Sequence, residues 1–291
     1  KGVLQGEAKA IRALLHLDML RIFGQAPVLD IKGRYIPWVE EYPSIVNPPV
    51  ATETVLSRMI ADLEESKQLL AVYDTLKVNQ QWLFETTNRF NEKVIPPAGS
   101  FYACRGSHLN YLAVTGILAR TYLWAGNYEK ALEQAAELVK LVTDKRLAFT
   151  PATSITSNPK MMDDVLFALN NKDLVEAYST YCDPTSSSAF YIEDPALFRQ
   201  ISADKRVNLL GSKNVLTKYM ENKTADLEKL IPMFRLSEAF YIAGECYAKA
   251  GDMTSAVDVL NTVRKARGIS AKLSNTLSET EFMEELINDA R

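Results

Sequence analysis

The apolar positions of the N-terminal part of the chain repeat with the period of an α-helix. A first helix is predicted over residues 6–23, and its apolar face consists of Ala10, Leu14, Leu17 and Leu20. Gly24 and Pro27 end this helix, because proline cannot continue it. A second helix is predicted from Thr52, a candidate N-cap residue, to about Leu70. Its apolar face consists of Val55, Met59, Leu63 and Leu70. The two helices predict a helical hairpin over residues 6–70.

A second helical hairpin is predicted over residues 107–142. Small residues recur where two helices would touch, at Ala119, Gly126, Ala131 and Ala135. Gly126 is followed by Asn127, and both residue types tolerate the left-handed backbone conformation that ends a helix. The spacing is similar to the core of a tetratricopeptide unit, although the usual tryptophan and closing proline are missing.

A third hairpin, over residues 232–267, repeats the second. Gly244, Tyr247, Gly251 and Ala256 each lie 125 positions after a matching residue of the second hairpin; those residues are Ala119, Tyr122, Gly126 and Ala131. Four agreements at one offset favour a structural repeat. Two unrelated helical hairpins are the alternative interpretation.

Three segments without a helical period separate or interrupt the hairpins: residues 24–51, 72–106 and 143–231. A short buried strand is predicted at residues 165–169, and a last helix is predicted to begin near Ser278. The loops lack apolar cores of their own, so we expect one domain over residues 1–291. The predicted fold is mainly α, with tetratricopeptide-like helical hairpins and long ordered loops packed on one side.

Charge and cysteine content exclude several classes of protein. The net charge is −3 and the pI is near 5.6, which argues against nucleic acid as a partner. Three widely spaced cysteines form neither a zinc pattern nor a disulfide framework. The sequence contains no apolar run of membrane-spanning length and no recognisable signal peptide.

Several stretches together resemble the SusD/RagB family. They are residues 6–14 (GEAKAIRAL), 21–28 (RIFGQAPV), 119–138, 231–238 (IPMFRLSE) and 261–264 (NTVR). Their order and rough spacing agree with the family over nearly the whole chain. One departure lies at residues 264–268 (RKARG), where the alanine and second arginine of the family's usual R-x-R-A-G are exchanged.

The resemblance implies a cellular role. SusD/RagB proteins are lipid-anchored at the cell surface on the outer membrane of Bacteroidetes-type bacteria. They bind nutrients, usually glycans, and deliver them to a TonB-dependent transporter, the SusC-like partner. The resemblance also implies that further residues precede Lys1 and follow Arg291. The lipid anchor would then lie outside this chain, and a membrane would be contacted only through it.

Motifs for catalysis are missing from the sequence. There is no phosphate-binding loop, nucleophile elbow or H-E-x-x-H pattern. The pairs Asp163–Asp164 and Glu193–Asp194 contain the carboxylates that glycoside hydrolysis needs, but we expect adjacent loop acids to be solvated. Residues 170–173 (NNKD) offer calcium ligands, yet a turn is the preferred interpretation. We therefore predict no enzymatic activity, no cofactor and no metal site.

The candidate ligand-binding residues are aromatic side chains in polar loops, together with neighbouring amides. Trp82 follows Asn79, Gln80 and Gln81, so an apolar ring face lies beside amide donors and acceptors. Sugars present the matching combination of C–H faces and hydroxyl groups. Trp38 and Tyr181 are weaker candidates of the same kind. The alternative interpretation is that each tryptophan fixes its loop to the helices.

The sequence therefore predicts a non-enzymatic protein that binds a glycan or similar nutrient and delivers it to a transporter. One alternative is a tetratricopeptide-type scaffold that binds a protein or peptide partner, which would have short loops and evenly spaced repeats. A glycoside hydrolase is the other alternative, and it would need two correctly separated carboxylates. The identity of the ligand is not predicted.

Overall fold

The computed structural model describes residues 1–43, 46–192, 203–220 and 227–290. The chain divides into two compact units. Unit 1 comprises residues 1–80 and 109–138, and unit 2 comprises residues 81–108 and 139–291.

The described residues are mainly α-helical, with two short antiparallel strand pairs. The helices are α1 (Gly2–Phe23), α2 (Thr52–Asp74), α3 (Gln80–Phe84), α4 (Thr86–Arg89), α5 (Tyr111–Trp124), α6 (Tyr128–Thr143), α7 (Leu174–Cys182), α8 (Leu236–Lys249), α9 (Met253–Ala266) and α10 (Glu279–Ala290). The strands are β1 (Arg34–Pro37), β2 (Pro49–Ala51), β3 (Val165–Asn170) and β4 (Leu230–Arg235). The prediction of a mainly α fold is confirmed.

In unit 1, α1 and α2 form the first predicted hairpin. The apolar faces predicted for both helices are buried between them. Polar contacts fix the pair: the Arg12 guanidinium donates two hydrogen bonds of 2.7 Å to the Asp62 carboxylate. The Ser66 hydroxyl donates to the Gly6 carbonyl at 2.7 Å, which is possible because Gly6 has no side chain and the helices approach closely.

The connection between α1 and α2 contains an element that the sequence pattern did not predict. Strands β1 and β2 pair as a short antiparallel ladder. The prediction that Thr52 is an N-cap was wrong, since Thr52 is the first residue of α2 and Ala51 precedes it. The Thr52 hydroxyl instead donates to the Gly33 carbonyl at 3.0 Å, which joins the start of α2 to the turn before β1.

The two repeated hairpins begin at matching positions. Helices α5 and α8 start 125 residues apart, and so do α6 and α9. The separating glycines have the same left-handed backbone, with φ of +76° at Gly126 and +80° at Gly251. Asn127 and Asp252 then cap the second helices, because their side chains accept hydrogen bonds from the backbone N–H groups three residues later. The 125-residue repeat predicted from the sequence is therefore present in the backbone.

In unit 2, helix α10 packs against α8 and α9. Gly244 lies at this contact: a Cβ added there would approach the Phe282 ring at 3.3 Å and the Val259 side chain at 3.4 Å. Helix α10 begins with a capping box, in which Ser278 and Glu281 each accept a hydrogen bond from the other's backbone N–H.

The predicted strand at residues 165–169 is β3, which pairs antiparallel with β4 immediately before α8. The sequence analysis did not predict helix α7, because its nine residues expose most of their side chains and show no long apolar face. No helix in the described ranges is long and apolar enough to span a membrane.

Candidate functional site

The acidic pair Asp163–Asp164 is part of the packed structure of unit 2. Asp164 is fully buried, and its Oδ2 atom lies 2.8 Å from the Arg267 guanidinium. Its Oδ1 atom accepts a hydrogen bond from the Thr150 backbone N–H. The expectation that this pair is solvated was therefore wrong for Asp164. Its carboxylate neutralises a buried arginine.

The second acidic pair considered for hydrolysis, Glu193 and Asp194, lies outside the described residues. Within the described part of the chain, no three His, Cys, Asp or Glu side chains cluster in a way that could hold a metal ion.

Trp38 is a packed side chain of unit 1 with only 6% of its surface exposed. Its ring lies 4.2 Å from the His16 ring, and the guanidinium groups of Arg12 and Arg58 lie over it at 5.4 and 5.9 Å. His16 also accepts a hydrogen bond from the Val39 backbone N–H, so the loop after β1 is attached to α1. Stacking of a sugar on Trp38 would require this arrangement to open.

Two of the side-chain amides near Trp82 donate hydrogen bonds to backbone carbonyls. Asn79 is buried and donates to the Tyr73 carbonyl at 2.8 Å, and Gln80 donates to the Thr75 carbonyl at 3.0 Å. The side chain of Gln81 is exposed.

Trp82 itself is half-buried, and its indole N–H is buried without a hydrogen-bond partner among the described residues. Asn79 belongs to unit 1, whereas Gln81 and Trp82 belong to unit 2. A role of these three residues in binding stays a prediction.

Tyr181 belongs to an exposed aromatic pair, which we call the aromatic platform: Tyr181 and Phe190. The two rings are stacked, with centroids 5.0 Å apart and planes inclined by 14°. Tyr181 is 41% exposed and Phe190 70% exposed. The Phe190 backbone N–H donates to the Tyr181 carbonyl at 2.8 Å, which fixes the loop that follows α7. Because stacked rings cover one face of each other, the pair offers an outer ring face and the ring edges to solvent.

Phe190 was not among the predicted site residues. Its signal in the sequence is a phenylalanine, followed by Tyr191, after a run of small residues, 185–189 (TSSSA). An apolar ring in such a segment has no helix periodicity that could bury it, so exposure could have been expected. Its pairing with Tyr181 could not, because the pairing depends on the turn after α7.

Helix α7 contacts Tyr219, which lies beside a cavity in unit 2. Tyr178, one turn before Tyr181, packs edge-to-face on Tyr219 with ring centroids 5.1 Å apart. The ammonium groups of Lys160 and Lys218 lie 5.3 and 5.7 Å from the centre of the Tyr219 ring. Both lysines line a cavity of about 210 Å³, whose other walls include Asn158, Met162, Leu227 and Glu228.

Comparisons with known proteins agree with this architecture. The Tetratricopeptide repeat family profile matches residues 238–266, which form most of α8 and all of α9. No curated protein sequence matches the chain.

Solved structures match nearly the whole chain. A SusD superfamily protein from Bacteroides thetaiotaomicron superimposes with a TM-score of 0.76 at 19% identity, covering 100% of this chain and 64% of its own. A SusD-like carbohydrate binding protein from Bacteroides vulgatus gives 0.73 at 20% identity, with coverages of 100% and 60%. Surface glycan-binding protein A from Bacteroides thetaiotaomicron, in complex with laminarihexaose, gives 0.66 at 14% identity, with coverages of 99% and 66%.

The chain thus spans less than two thirds of the length of each of these structures. At this level of identity the likeness establishes the fold. The SusD-like fold with tetratricopeptide-like helices, implied by the sequence resemblance, is confirmed.

Proposed function

We propose that the protein binds a glycan through the aromatic platform, Tyr181 and Phe190. The supporting observation is that two stacked rings with nearly parallel planes are both exposed in unit 2, Tyr181 at the end of α7 and Phe190 on the loop that follows it. Large exposed aromatic side chains are costly to keep in water and commonly mark binding surfaces. A similar fold carries laminarihexaose in one solved structure, which makes a glucan-type oligosaccharide the first ligand to test.

The expected affinity is low. One aromatic ring covers about 60 Å² of a sugar face, which stabilises the complex by roughly 1.5 kcal/mol at about 25 cal/mol/Å². Each hydrogen bond from an amide such as Gln81 adds about 1 kcal/mol. A few such contacts give dissociation constants near micromolar to millimolar. Weak binding suits a protein that must release its ligand.

The proposal includes delivery of the glycan, without chemical change, to a SusC-like TonB-dependent transporter at the outer membrane. It also includes a lipid anchor that holds the protein at the cell surface. Both rest on the sequence resemblance and on the SusD-like fold. Co-purification of the transporter with the full-length protein from outer membranes tests the partner. Recovery of the protein without any transporter would contradict this part of the proposal.

Calorimetric titration with a panel of neutral hexaoses that includes laminarihexaose tests glycan binding. Phe190→Ala and Tyr181→Ala should each weaken the affinity about tenfold, because each removes one stacking ring. Phe101→Ala is the matched control, since Phe101 is also exposed in unit 2 but lies outside the platform. Equal effects of all three substitutions, or no binding of any hexaose, would overturn the proposal.

Trp82 stays the second candidate for stacking. Trp82→Ala should weaken glycan affinity about tenfold with little change in melting temperature if its ring contacts sugar. If the tryptophan only fixes its loop, the melting temperature falls and the affinity of the remaining folded protein is unchanged. The same comparison decides the role of Trp38, for which the packing against His16 favours the loss of stability.

A second candidate function, binding of a protein partner by the tetratricopeptide-like helices, is favoured by one observation. Helix α1 exposes a row of large apolar side chains: Leu4, Ile11, Leu15, Met19, Ile22 and Phe23. Replacement of Leu15 by lysine separates the two functions. Glycan affinity should be unchanged, whereas a protein partner that uses this row would no longer co-purify. Loss of glycan affinity in this variant would contradict a site on the aromatic platform.

A further inference from the structure

The cavity beside Tyr219 contains positive charge that the carboxylates of the described residues do not neutralise. Lys160 and Lys218 line it, and Arg235 lies against it, with its guanidinium donating to the Lys160 carbonyl at 2.7 Å. Within the described residues, no carboxylate lies within ion-pair distance of any of the three. Glu228 lines the cavity, but only its backbone carbonyl contacts the Lys160 ammonium. Buried or half-buried cations without a negatively charged partner are costly, so such an arrangement favours an anion from solution.

The two lysines contribute in different ways. The Lys160 ammonium is almost fully buried and donates its three protons to the carbonyls of Leu227, Glu228 and Leu230. It therefore supplies charge but has no donor left for a ligand. Lys218 has no hydrogen-bond partner among the described residues, so its three donors are available in the cavity. Arg235 also keeps one buried guanidinium nitrogen without a partner.

The arginines around Lys218 differ in whether they are neutralised. Arg267 pairs with Asp164 at 2.8 Å, and Arg206 pairs with Asp204 at 2.7 Å. Arg235, whose charge also lies near Lys218, has no carboxylate within ion-pair distance in the described part of the chain. Among the described side chains, the positive charge that remains is therefore concentrated at Lys218, Lys160 and Arg235.

We propose that this cavity binds the acidic group of a singly charged sugar, a carboxylate or a sulfate ester, with Lys218 as the hydrogen-bond donor. The identification of the ligand as a sugar rests on the proposed glycan function. The volume of about 210 Å³ is smaller than an ordinary ligand pocket, so it suits one ring-sized end of a larger ligand. Apolar walls from Met162 and Leu227 match the C–H face of such a ring.

The cavity and the aromatic platform are connected through one helix. Tyr178 and Tyr181 are three residues apart on α7 and so project from neighbouring positions of one face. Tyr178 packs on Tyr219, which lies beside Lys218, whereas Tyr181 stacks on Phe190. An oligosaccharide bound on the aromatic platform could therefore place the acidic group of one of its sugar units in the cavity.

The electrostatics of Lys218 agree with this assignment. Burial, with Arg235, Arg267 and Arg206 nearby, lowers the pKa of Lys218 to about 7, and Asp164 only partly opposes this shift. Burial also lowers the pKa of Lys160 to about 8. A bound anion would favour the charged form of Lys218 and raise its pKa again. Anion binding above neutral pH should therefore be accompanied by proton uptake.

Calorimetric titrations with glucuronate, glucose 6-sulfate and glucose test the assignment, because the three ligands share a ring and differ in charge. The wild-type protein should bind at least one charged sugar more than tenfold better than glucose. Preference for glucuronate or for the sulfate ester identifies the acidic group. Lys218→Met should lower the affinity for that sugar about ten- to hundredfold, as expected for a lost charge-assisted hydrogen bond. Lys218→Arg should keep most of it.

Lys172→Met is the matched control, since Lys172 is an exposed lysine of the same unit. It should leave every affinity unchanged. Equal binding of glucose and both charged sugars, or equal losses in Lys218→Met and Lys172→Met, would overturn the inference. If neutral hexaoses bind but glucose and both charged sugars bind equally well, this inference is refuted and the proposed function stands. If a charged sugar binds through Lys218 but no neutral hexaose binds, the proposed function is refuted and the acidic-group site in the cavity stands.

Discussion

The carboxylate of Asp164 lies 2.8 Å from the guanidinium of Arg267, and both side chains are almost completely buried. The pair joins the start of β3 to the end of α9 across 103 positions of the chain. A buried charge without its partner is strongly destabilising, whereas the intact pair is neutral as a whole. The pair of Asp164 and Arg267 therefore contributes to the stability of unit 2.

Asp164→Asn should lower the free energy of unfolding by about 3–5 kcal/mol, because it leaves the buried Arg267 charge uncompensated. The measurement is chemical denaturation at neutral pH. Asp163→Asn is the matched control. The Asp163 carboxylate accepts hydrogen bonds from the side chains of Thr150 and Asn158, and no arginine lies within ion-pair distance of it in the described chain. Its cost should be about 1 kcal/mol. Similar small costs for both variants would show that the buried pair is not important for stability.

The repeat predicts equal costs for two glycine substitutions. Gly126→Ala and Gly251→Ala should each lower the free energy of unfolding by about 1–2 kcal/mol, because alanine is strained in the left-handed conformation. No atom of a neighbour lies within 4 Å of the added Cβ, so the backbone is the only source of cost. Gly2→Ala, in ordinary helical conformation, serves as the control and should not lower the stability. If the losses in the free energy of unfolding for Gly126→Ala and Gly251→Ala differ by more than the effect of Gly2→Ala, the two turns are not equivalent.

The half-buried lysine of the cavity predicts a pH dependence of stability. The pKa of Lys218 is about 7 in the folded protein and near 10.5 when the chain is unfolded. Between these two pH values the unfolded chain binds more protons than the folded protein, so the contribution of Lys218 makes the free energy of unfolding rise with pH. Below about pH 7 the lysine is charged in the folded protein, and the full cost of burying that charge lowers the stability. Lys218→Met should raise the melting temperature at neutral pH, and the gain should shrink towards pH 10. A gain that stays constant across this range would contradict the burial of an unpaired cation.

The helical scaffold was predictable because its signals are local. The spacing of Ala10 to Leu20 and the turn glycines Gly126 and Gly251 depend only on helix period and backbone conformation. Side-chain roles that depend on distant partners were not predictable. Thr52 bonds to Gly33 instead of capping its own helix, and Asp164 meets an arginine 103 positions later.

The candidate site shows the same limit. Tyr181 was identified as an aromatic residue in a polar segment, and it is exposed. Its partner Phe190 was missed, because the stacking depends on the turn that follows α7. Lys218 gave no signal either: an isolated lysine in a loop is normally solvated, and only folding brings Lys160 and Arg235 next to it.

The crystal structure of the protein with the tightest-binding neutral hexaose tests the central claim most directly. We predict that one sugar ring lies against the stacked rings of Tyr181 and Phe190, with ring carbons about 4 Å from the aromatic carbons. Gln81 or Trp82 would provide further contacts if they belong to the site. A hexaose bound elsewhere on the protein, with the Tyr181 and Phe190 rings still exposed to solvent, would contradict the account.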